Sequence, residues 1–164
     1  PKQYVGLKFF NVYGPNEYFK NQMASIIFHG YKQIKATGTL KLFKSYSMEC
    51  LNGEQKRDFV YVKDVCKVID FFINNNSLNG LYNVGTGQAE SFNNLAKVLF
   101  STMNMNLNVE YIDMPEHLQK NYQYFTQANM CKLFDAGYTE KFYSLQEGAK
   151  DYIINYLQKD YLTF

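Results

Sequence analysis

Residues 57–87 read RDFVYVKDVCKVIDFFINNNSLNGLYNVGTG, and this stretch holds three predicted elements in succession. The first six residues are rich in β-branched and aromatic side chains, which predicts a strand. Apolar residues then recur every three or four positions, which predicts a helix with one buried face. An asparagine-rich turn ends that helix, and a second short strand follows and stops at Gly85-Thr-Gly87.

The same alternation of strand and helix continues on both sides of this stretch. The further predicted strands cover 4–13, 40–43 and 109–112. Four further helices are predicted. The first has Met23 and Ile34 on one face and ends at Gly38, and the second is capped by Ser91. The third lies between Thr126 and Gly137, and the fourth begins with a capping box of Ser144 and Glu147. Strands and helices that alternate along a chain are typical of an α/β fold.

The composition is that of an ordinary globular chain. Of its 164 residues, 46% are hydrophobic and 20% are charged, which excludes a disordered or fibrous protein. A net charge of +2 is too small a bias to predict binding to nucleic acid or to an anionic membrane. Apolar runs are shorter than the roughly 18–20 residues that a membrane span needs. The length allows one domain or half of a larger one.

Three cysteines, Cys50, Cys66 and Cys131, are widely spaced and odd in number. They predict buried free thiols in a reducing compartment rather than disulfides or a zinc site. Because no signal peptide is visible, the predicted location is the cytoplasm. The chain begins at Pro1 without an initiator Met, which suggests a piece of a longer protein.

Motifs for several catalytic classes are missing from the sequence. It has no glycine-rich dinucleotide turn and no Walker A loop, so it predicts no complete cofactor site. The two histidines are far apart along the chain, and no metal site is predicted. Tyr-x-x-x-Lys pairs occur at Tyr4/Lys8 and Tyr31/Lys35, but the first lies in a predicted strand and the second near a helix end. We interpret both pairs as chance occurrences.

Three blocks of sequence, at 6–15, 57–65 and 82–87, resemble the extended short-chain dehydrogenase/reductases that act on nucleotide sugars. They occur in the same order as in that family. The resemblance implies an α/β fold that is the C-terminal part of a Rossmann-type enzyme of this family, with its smaller α/β substrate-binding domain.

The resemblance also implies a domain organisation. Residues 1–164 would form the C-terminal half of such an enzyme, and the N-terminal cofactor-binding half would be absent. Residues 1–14 and 57–87 would supply strands and a helix that complete the Rossmann-type sheet. Residues 15–56 and 88–164 would mainly form the substrate-binding region.

Shorter segments are similar to one branch of that family, the 6-epimerases of ADP-heptose. They lie at 16–20, 23–25, 28–29, 41–43 and 125–128. The resemblance implies an isomerase that inverts C6 of ADP-D-glycero-D-manno-heptose through a transient 6-keto intermediate, in the synthesis of the lipopolysaccharide inner core. It implies a tightly bound NADP, with NAD as the alternative, and an isolated chain that is inactive.

Individual side chains receive roles from the same resemblance. Lys20 would be the acid–base group on one face of the substrate and would contact the cofactor together with Val12. Arg57 would hold the diphosphate through paired donors. The other residues implied to bind substrate are Asn11, Gln22, His29, Phe43, Lys44, Ser45, Tyr46 and Tyr122.

Other interpretations stay open at this point. The chain could belong to another nucleotide-sugar epimerase or dehydratase, or it could be a non-catalytic binding or assembly piece. Because a half-molecule would expose apolar surface, we expect the isolated chain to form oligomers or to bind a partner. We also expect the complete protein to be a homo-oligomer. Gln22 stands where some family members have serine, and the loop at 46–56 is longer than in other members.

The aromatic cluster at 120–125 could stack on bases, but the small net charge argues against nucleic acid.

Overall fold

The computed structural model describes residues 2–159, in which short strand pairs pack among helices. The strands are β1 (Val5–Phe9), β2 (Asn11–Tyr13), β3 (Leu40–Phe43), β4 (Lys56–Arg57), β5 (Phe59–Tyr61), β6 (Gly80–Val84), β7 (Glu90–Ser91) and β8 (Val109–Ile112). The helices are α1 (Ile26–Thr37), α2 (Val62–Asn74), α3 (Phe92–Thr102), α4 (Glu116–Gln119), α5 (Cys131–Asp135) and α6 (Leu145–Asn155). Short 3-10 segments occur at Tyr18–Met23 and Leu157–Lys159.

Parallel pairing dominates the sheet structure. The pairs β1–β6, β2–β5 and β3–β8 are parallel, and only β4–β7 is antiparallel among the described residues. Parallel strands need long crossover connections, and α2 lies in the connection from β5 to β6. The predicted α/β class and the strand–helix–strand succession within 57–87 are confirmed.

The predicted strands at 4–13 and 57–62 are each divided in two. At Phe10 the backbone N–H donates to the Val84 O (3.0 Å), and the strand changes its partner from β6 to β5. At Asp58 the pairing changes from β7 to β2, and Val62 already begins α2. Side-chain preference does not reveal these breaks, because the choice of a strand partner depends on tertiary packing.

Helix α1 begins later than the apolar pattern predicts. The Ser25 Oγ accepts a hydrogen bond from the Phe28 N–H and so caps the first turn. The prediction that Met23 lies on the helix face is wrong, since Met23 is exposed in the preceding 3-10 segment. The predicted end is confirmed, because Gly38 adopts a left-handed φ of 70°.

The caps of the later helices confirm two predictions and correct one. Ser91 caps α3, and Ser144 and Glu147 form the predicted capping box of α6. The prediction that Thr126 begins a helix is wrong, because the chain stays extended or irregular until α5 begins at Cys131.

The core consists of two clusters of buried side chains. The first lies among α1, β3, α3 and α6 and includes Ile27, Leu99 and Tyr152. The second lies among α2, β6 and α5 and includes Val68 and Val84. The strand pair β2–β5 contributes to both clusters and therefore joins them.

Gly148 in α6 packs directly on Tyr13, the last residue of β2. A Cβ at position 148 would overlap the Tyr13 hydroxyl and would lie 3.1 Å from the Tyr61 ring. We expect Gly148→Ala to lower the free energy of unfolding by about 1–3 kcal/mol, as overpacking does. Urea denaturation measures this loss. Tyr13→Phe removes the overlapping hydroxyl and should recover part of it, whereas a G148A protein as stable as the parent would contradict the close packing.

The cysteines are free, as predicted, but they are less buried than expected. Cys66 and Cys131 are exposed because they lie on the outer faces of α2 and α5. Within residues 2–159, no helix is long and apolar enough to cross a membrane. In the same residues, no three His, Cys, Asp or Glu side chains lie together in a way that could hold a metal ion.

Candidate functional site

A cavity of about 430 Å³, termed the Arg57 cavity, lies between α1, β3 and the segment that leads into β5. Three residues to which the family resemblance assigns substrate binding line it, namely Phe43, Arg57 and Tyr122. The remaining lining residues are Ile26, Gln33, Lys41, Leu42, Gln55, Phe92 and Ile112. The lining thus combines cationic, aromatic and aliphatic side chains.

Arg57 is a half-buried cation between two aromatic rings. Its guanidinium carbon lies 5.1 Å from the ring centroid of Tyr122 and 5.8 Å from that of Phe92. Its Nη1 donates to the Lys56 backbone O (2.9 Å), and no carboxylate in the described part of the chain forms an ion pair with it. Burial lowers the pKa of Arg57, but a guanidinium stays charged at neutral pH. Such a cation suits an anionic ligand that also carries a planar ring.

Gln55 is a lining residue that the sequence analysis did not single out. Only 1% of the residue is exposed, and the Phe92 N–H donates to its backbone O (3.2 Å). Its Nε2 donates to the Phe43 O (3.4 Å), while its Oε1 has no hydrogen-bond partner within residues 2–159. A buried acceptor without a donor costs free energy. The sequence indicates a role for Gln55 only through its position two residues before Arg57.

The predicted residues Lys44, Ser45 and Tyr46 follow β3 and lie outside the lining of the Arg57 cavity. The Lys44 Nζ (3.0 Å) and the Tyr46 hydroxyl (2.9 Å) both donate to the Asp113 Oδ1. These two hydrogen bonds lower the pKa of Asp113. The Ser45 N–H donates to the Asn52 Oδ1 (2.8 Å). Asp113 was not predicted from the sequence, because it lies 69 residues after Lys44.

A second cavity of about 370 Å³, termed the Lys20 cavity, lies at the carboxyl ends of β2 and β5. Val12 and Lys20, the two residues implied to contact the cofactor, both line it. The other lining residues are Tyr13, Gly14, Pro15, Asn16, Glu17, Val62, Lys63, Cys66 and Tyr156. The carboxyl ends of parallel strands are where doubly wound folds bind their ligands.

The three remaining predicted residues lie outside the lining of both cavities. Asn11 begins β2, and its Nδ2 donates to the Asp58 backbone O (3.3 Å). Gln22 is exposed in the 3-10 segment that carries Lys20. His29 is exposed on α1. It follows Ile26, a lining residue of the Arg57 cavity, by three positions, and residues at this spacing share a helix face. His29 therefore lies on the face of α1 that borders this cavity.

The two cavities adjoin opposite ends of the same strand pair. Arg57 precedes β5, whereas the Lys20 cavity includes Val62, which follows it. The structure therefore groups Phe43, Arg57 and Tyr122 in one cavity and Val12 and Lys20 in the other. The strand pair β2–β5, which includes Asn11, connects the two groups.

Asp58 is fully buried beside Arg57 and fixes the turn that follows β6. Its Oδ1 accepts hydrogen bonds from the Thr86 N (2.7 Å) and Oγ1 (2.8 Å), and its Oδ2 accepts from the Gly87 N (2.9 Å) and the Ala128 N (3.0 Å). Four donors stabilise the carboxylate, and no lysine or arginine in the described part of the chain forms an ion pair with it. Asp58 and the Gly85-Thr-Gly87 turn both lie in the stretch 57–87, but their contact could not be predicted from the sequence.

Residues 2–85 match the model of the NAD dependent epimerase/dehydratase family. The chain belongs to this family. Its parallel strand pairs and crossover helix are those of a Rossmann-type extended epimerase, so the predicted fold and the family resemblance are both confirmed.

Two curated members of the epimerase family carry the same name, ADP-L-glycero-D-manno-heptose-6-epimerase. The one from Fusobacterium nucleatum is 52% identical over 98% of this chain and 50% of its own length. The one from Nitratidesulfovibrio vulgaris is 47% identical over 93% of this chain and 47% of its own length. The chain thus spans about half the length of the curated relatives that it matches.

A solved structure of the family shows the same fold. The crystal structure of the Helicobacter pylori ADP-L-glycero-D-manno-heptose-6-epimerase superposes with a TM-score of 0.74 and 35% sequence identity. The match covers 92% of this chain and 43% of that one.

Proposed function

We propose that the complete protein is an ADP-heptose 6-epimerase, which inverts C6 of ADP-D-glycero-D-manno-heptose through a transient 6-keto intermediate. The 52% identity with the Fusobacterium nucleatum protein of that name carries this proposal. The proposal places the reaction in the cytoplasm, in the synthesis of the lipopolysaccharide inner core. The Arg57 cavity supports it, because Arg57 lies beside two aromatic rings and has no acidic partner among residues 2–159, an arrangement that suits a nucleoside diphosphate.

In this proposal the Arg57 cavity holds the ADP end of the substrate. Arg57 donates paired hydrogen bonds to the diphosphate, and Tyr122 and Phe43 provide ring surface for the nucleoside. Lys44, Ser45 and Tyr46 lie next to Phe43 and are proposed to line the adenosine end. The heptose then extends along β2–β5, where Asn11 contacts it. Gln22 and His29 are proposed as further contacts.

Lys20 is proposed as the acid–base group at the C6 oxygen. Its ammonium or amine gives or takes the proton of that oxygen on one face of the sugar. Val12 and Lys20 would hold NADP, or NAD, which would supply reversible hydride transfer at C6. Val12 and Lys20 fit this group, because they line a cavity at the carboxyl ends of two parallel strands.

We propose that residues 1–164 alone do not catalyse epimerisation and that the complete protein is a homo-oligomer. The chain has no glycine-rich dinucleotide turn, and its Tyr-x-x-x-Lys pairs lie outside both cavities. Epimerisation by the purified 164-residue chain would contradict the first statement. Sedimentation of the complete protein as a monomer would contradict the second.

The proposed substrate is tested with ADP-heptose, UDP-hexose and GDP-hexose as separate substrates of the complete protein. We expect inversion at C6 of ADP-heptose and no turnover of the other two. Turnover of a UDP- or GDP-hexose without turnover of ADP-heptose would instead identify a different nucleotide-sugar epimerase or dehydratase.

Replacing Arg57 should weaken the binding of ADP. We expect Arg57→Met to raise the dissociation constant of ADP about 10- to 100-fold, because hydrogen bonds to a charged group are lost from a partly buried site. Isothermal titration of the complete protein with ADP measures the change. Lys56→Met is the matched control, since Lys56 is exposed and lies outside the cavity lining, and it should change the constant less than twofold. Equal effects of both substitutions would contradict a specific role for Arg57.

A further inference from the structure

The loop that carries Lys20 has little packing of its own. Between Tyr18 and Met23 no side chain is buried. Asn16 and Asn21 adopt left-handed φ values of 71° and 49°, which non-glycine residues seldom adopt. Within residues 18–23, Tyr18 alone packs on the core, with its ring centroid 5.8 Å from that of Phe28, so the exposed part of the loop that carries Lys20 depends on further interactions for its position.

Glu17 closes this loop at its base. Only 4% of Glu17 is exposed. Its Oε1 accepts hydrogen bonds from the Gly14 N (3.3 Å) and the Ser25 Oγ (2.7 Å), and its Oε2 accepts one from the Ser25 N (2.6 Å). The Lys20 N–H also donates to the Glu17 backbone O (3.0 Å). One buried residue thus connects the end of β2, the Lys20 turn and the cap of α1.

We propose that Glu17 is a positioning residue for Lys20: its carboxylate fixes both ends of the loop, so that Lys20 is held in its cavity. The inference rests on the acid–base role proposed for Lys20. The side chain must accept on both of its oxygens, because Oε1 and Oε2 each face a backbone N–H, that of Gly14 and that of Ser25, which can only donate. A glutamine of the same shape would direct an NH₂ group at one of them. No lysine or arginine among residues 2–159 forms an ion pair with Glu17, so its charge serves these donors.

The test uses Glu17→Gln in the complete protein. We expect the kcat of ADP-heptose epimerisation to fall about tenfold or more, since small displacements of a reacting group have large effects on rate. The KM for ADP-heptose and the dissociation constant of ADP should stay within about twofold, because the Arg57 cavity is separate. Glu17→Asp keeps the charge and should retain more activity than the glutamine variant.

A double-mutant cycle with Lys20→Met separates positioning from general damage. If Glu17 acts through Lys20, Glu17→Gln causes no further loss of kcat in the Lys20→Met protein. If Glu17→Gln lowers kcat by the same factor in the parent protein and in the Lys20→Met protein, the inference is overturned. It is also overturned if Glu17→Gln raises the dissociation constant of ADP as much as it lowers kcat. Glu147→Gln alters a similar but exposed Ser–Glu arrangement in α6 and should leave kcat unchanged.

The outcomes distinguish this inference from the proposed function. If Lys20→Met has no effect on kcat, the acid–base role and the inference both fail. If Lys20→Met abolishes turnover while Glu17→Gln leaves kcat unchanged, only the inference fails. Should Glu17→Gln not fold, Ser25→Ala removes one of the three donors, and we then expect a loss of about threefold in kcat at unchanged ADP affinity.

Discussion

Lys20→Met should lower the kcat of epimerisation by about 10²- to 10⁴-fold, the range typical for loss of a general acid–base group. Methionine is similar in length to lysine but cannot hold or release a proton at the C6 oxygen. The affinity for ADP should stay within twofold, because Lys20 and Arg57 line different cavities. Single-turnover epimerisation of ADP-heptose by the complete protein measures the rate.

Lys63→Met is the matched control for this experiment. Lys63 lines the same cavity, but its Nζ already binds the Asp151 Oδ2 (2.6 Å). We expect this variant to retain its rate within about threefold. An unchanged rate in the Lys20→Met protein would remove Lys20 from the proposed mechanism. Equal losses in both variants would point to the charge of the cavity rather than to one proton carrier.

Asp58→Asn should lower the free energy of unfolding by about 3–5 kcal/mol. An asparagine has one oxygen in place of two and turns an NH₂ group toward backbone N–H donors that now lack an acceptor. Each buried polar group left unsatisfied costs about 1–3 kcal/mol. Since folded domains are stable by only about 5–15 kcal/mol, this is a large share of the total. Urea denaturation followed by circular dichroism measures the loss.

Asp70→Asn makes the same chemical change on the exposed surface of α2 and is the control. It should alter the free energy of unfolding by less than about 0.5 kcal/mol, as surface substitutions usually do. A loss below 1 kcal/mol in the Asp58→Asn protein would show that the four donors around Asp58 find other partners. The Asp58 side chain would then not be needed to hold the turn after β6.

Much of the fold follows from short-range signals. The apolar periodicity of α2, the left-handed Gly38 and the capping box of α6 each depend on residues within one or two turns, so they could be predicted from sequence. The breaks at Phe10 and Asp58 could not. On both sides of each break the residues favour extended structure equally, and only the distant partner strand decides where one pair ends and the next begins.

The candidate site could likewise be predicted only in part from the sequence. The family resemblance selected Phe43, Arg57 and Tyr122, which the structure brings into one cavity. It could not indicate that Asp113 binds Lys44 and Tyr46, because that contact depends on the pairing of β3 with β8. Gln55 was missed since a glutamine in a polar loop gives no sign of burial.

The pairing of β1 with β6, together with the contact of Tyr13 with Gly148, has a consequence for biosynthesis. Strand β1 is translated before its partner β6, and Tyr13 at the end of β2 is covered only after α6 has been translated. Loop closure over such distances slows folding. Until these downstream elements have been made, β1 lacks its β6 partner and α6 does not cover Tyr13, and unpaired strands of this kind are prone to aggregation.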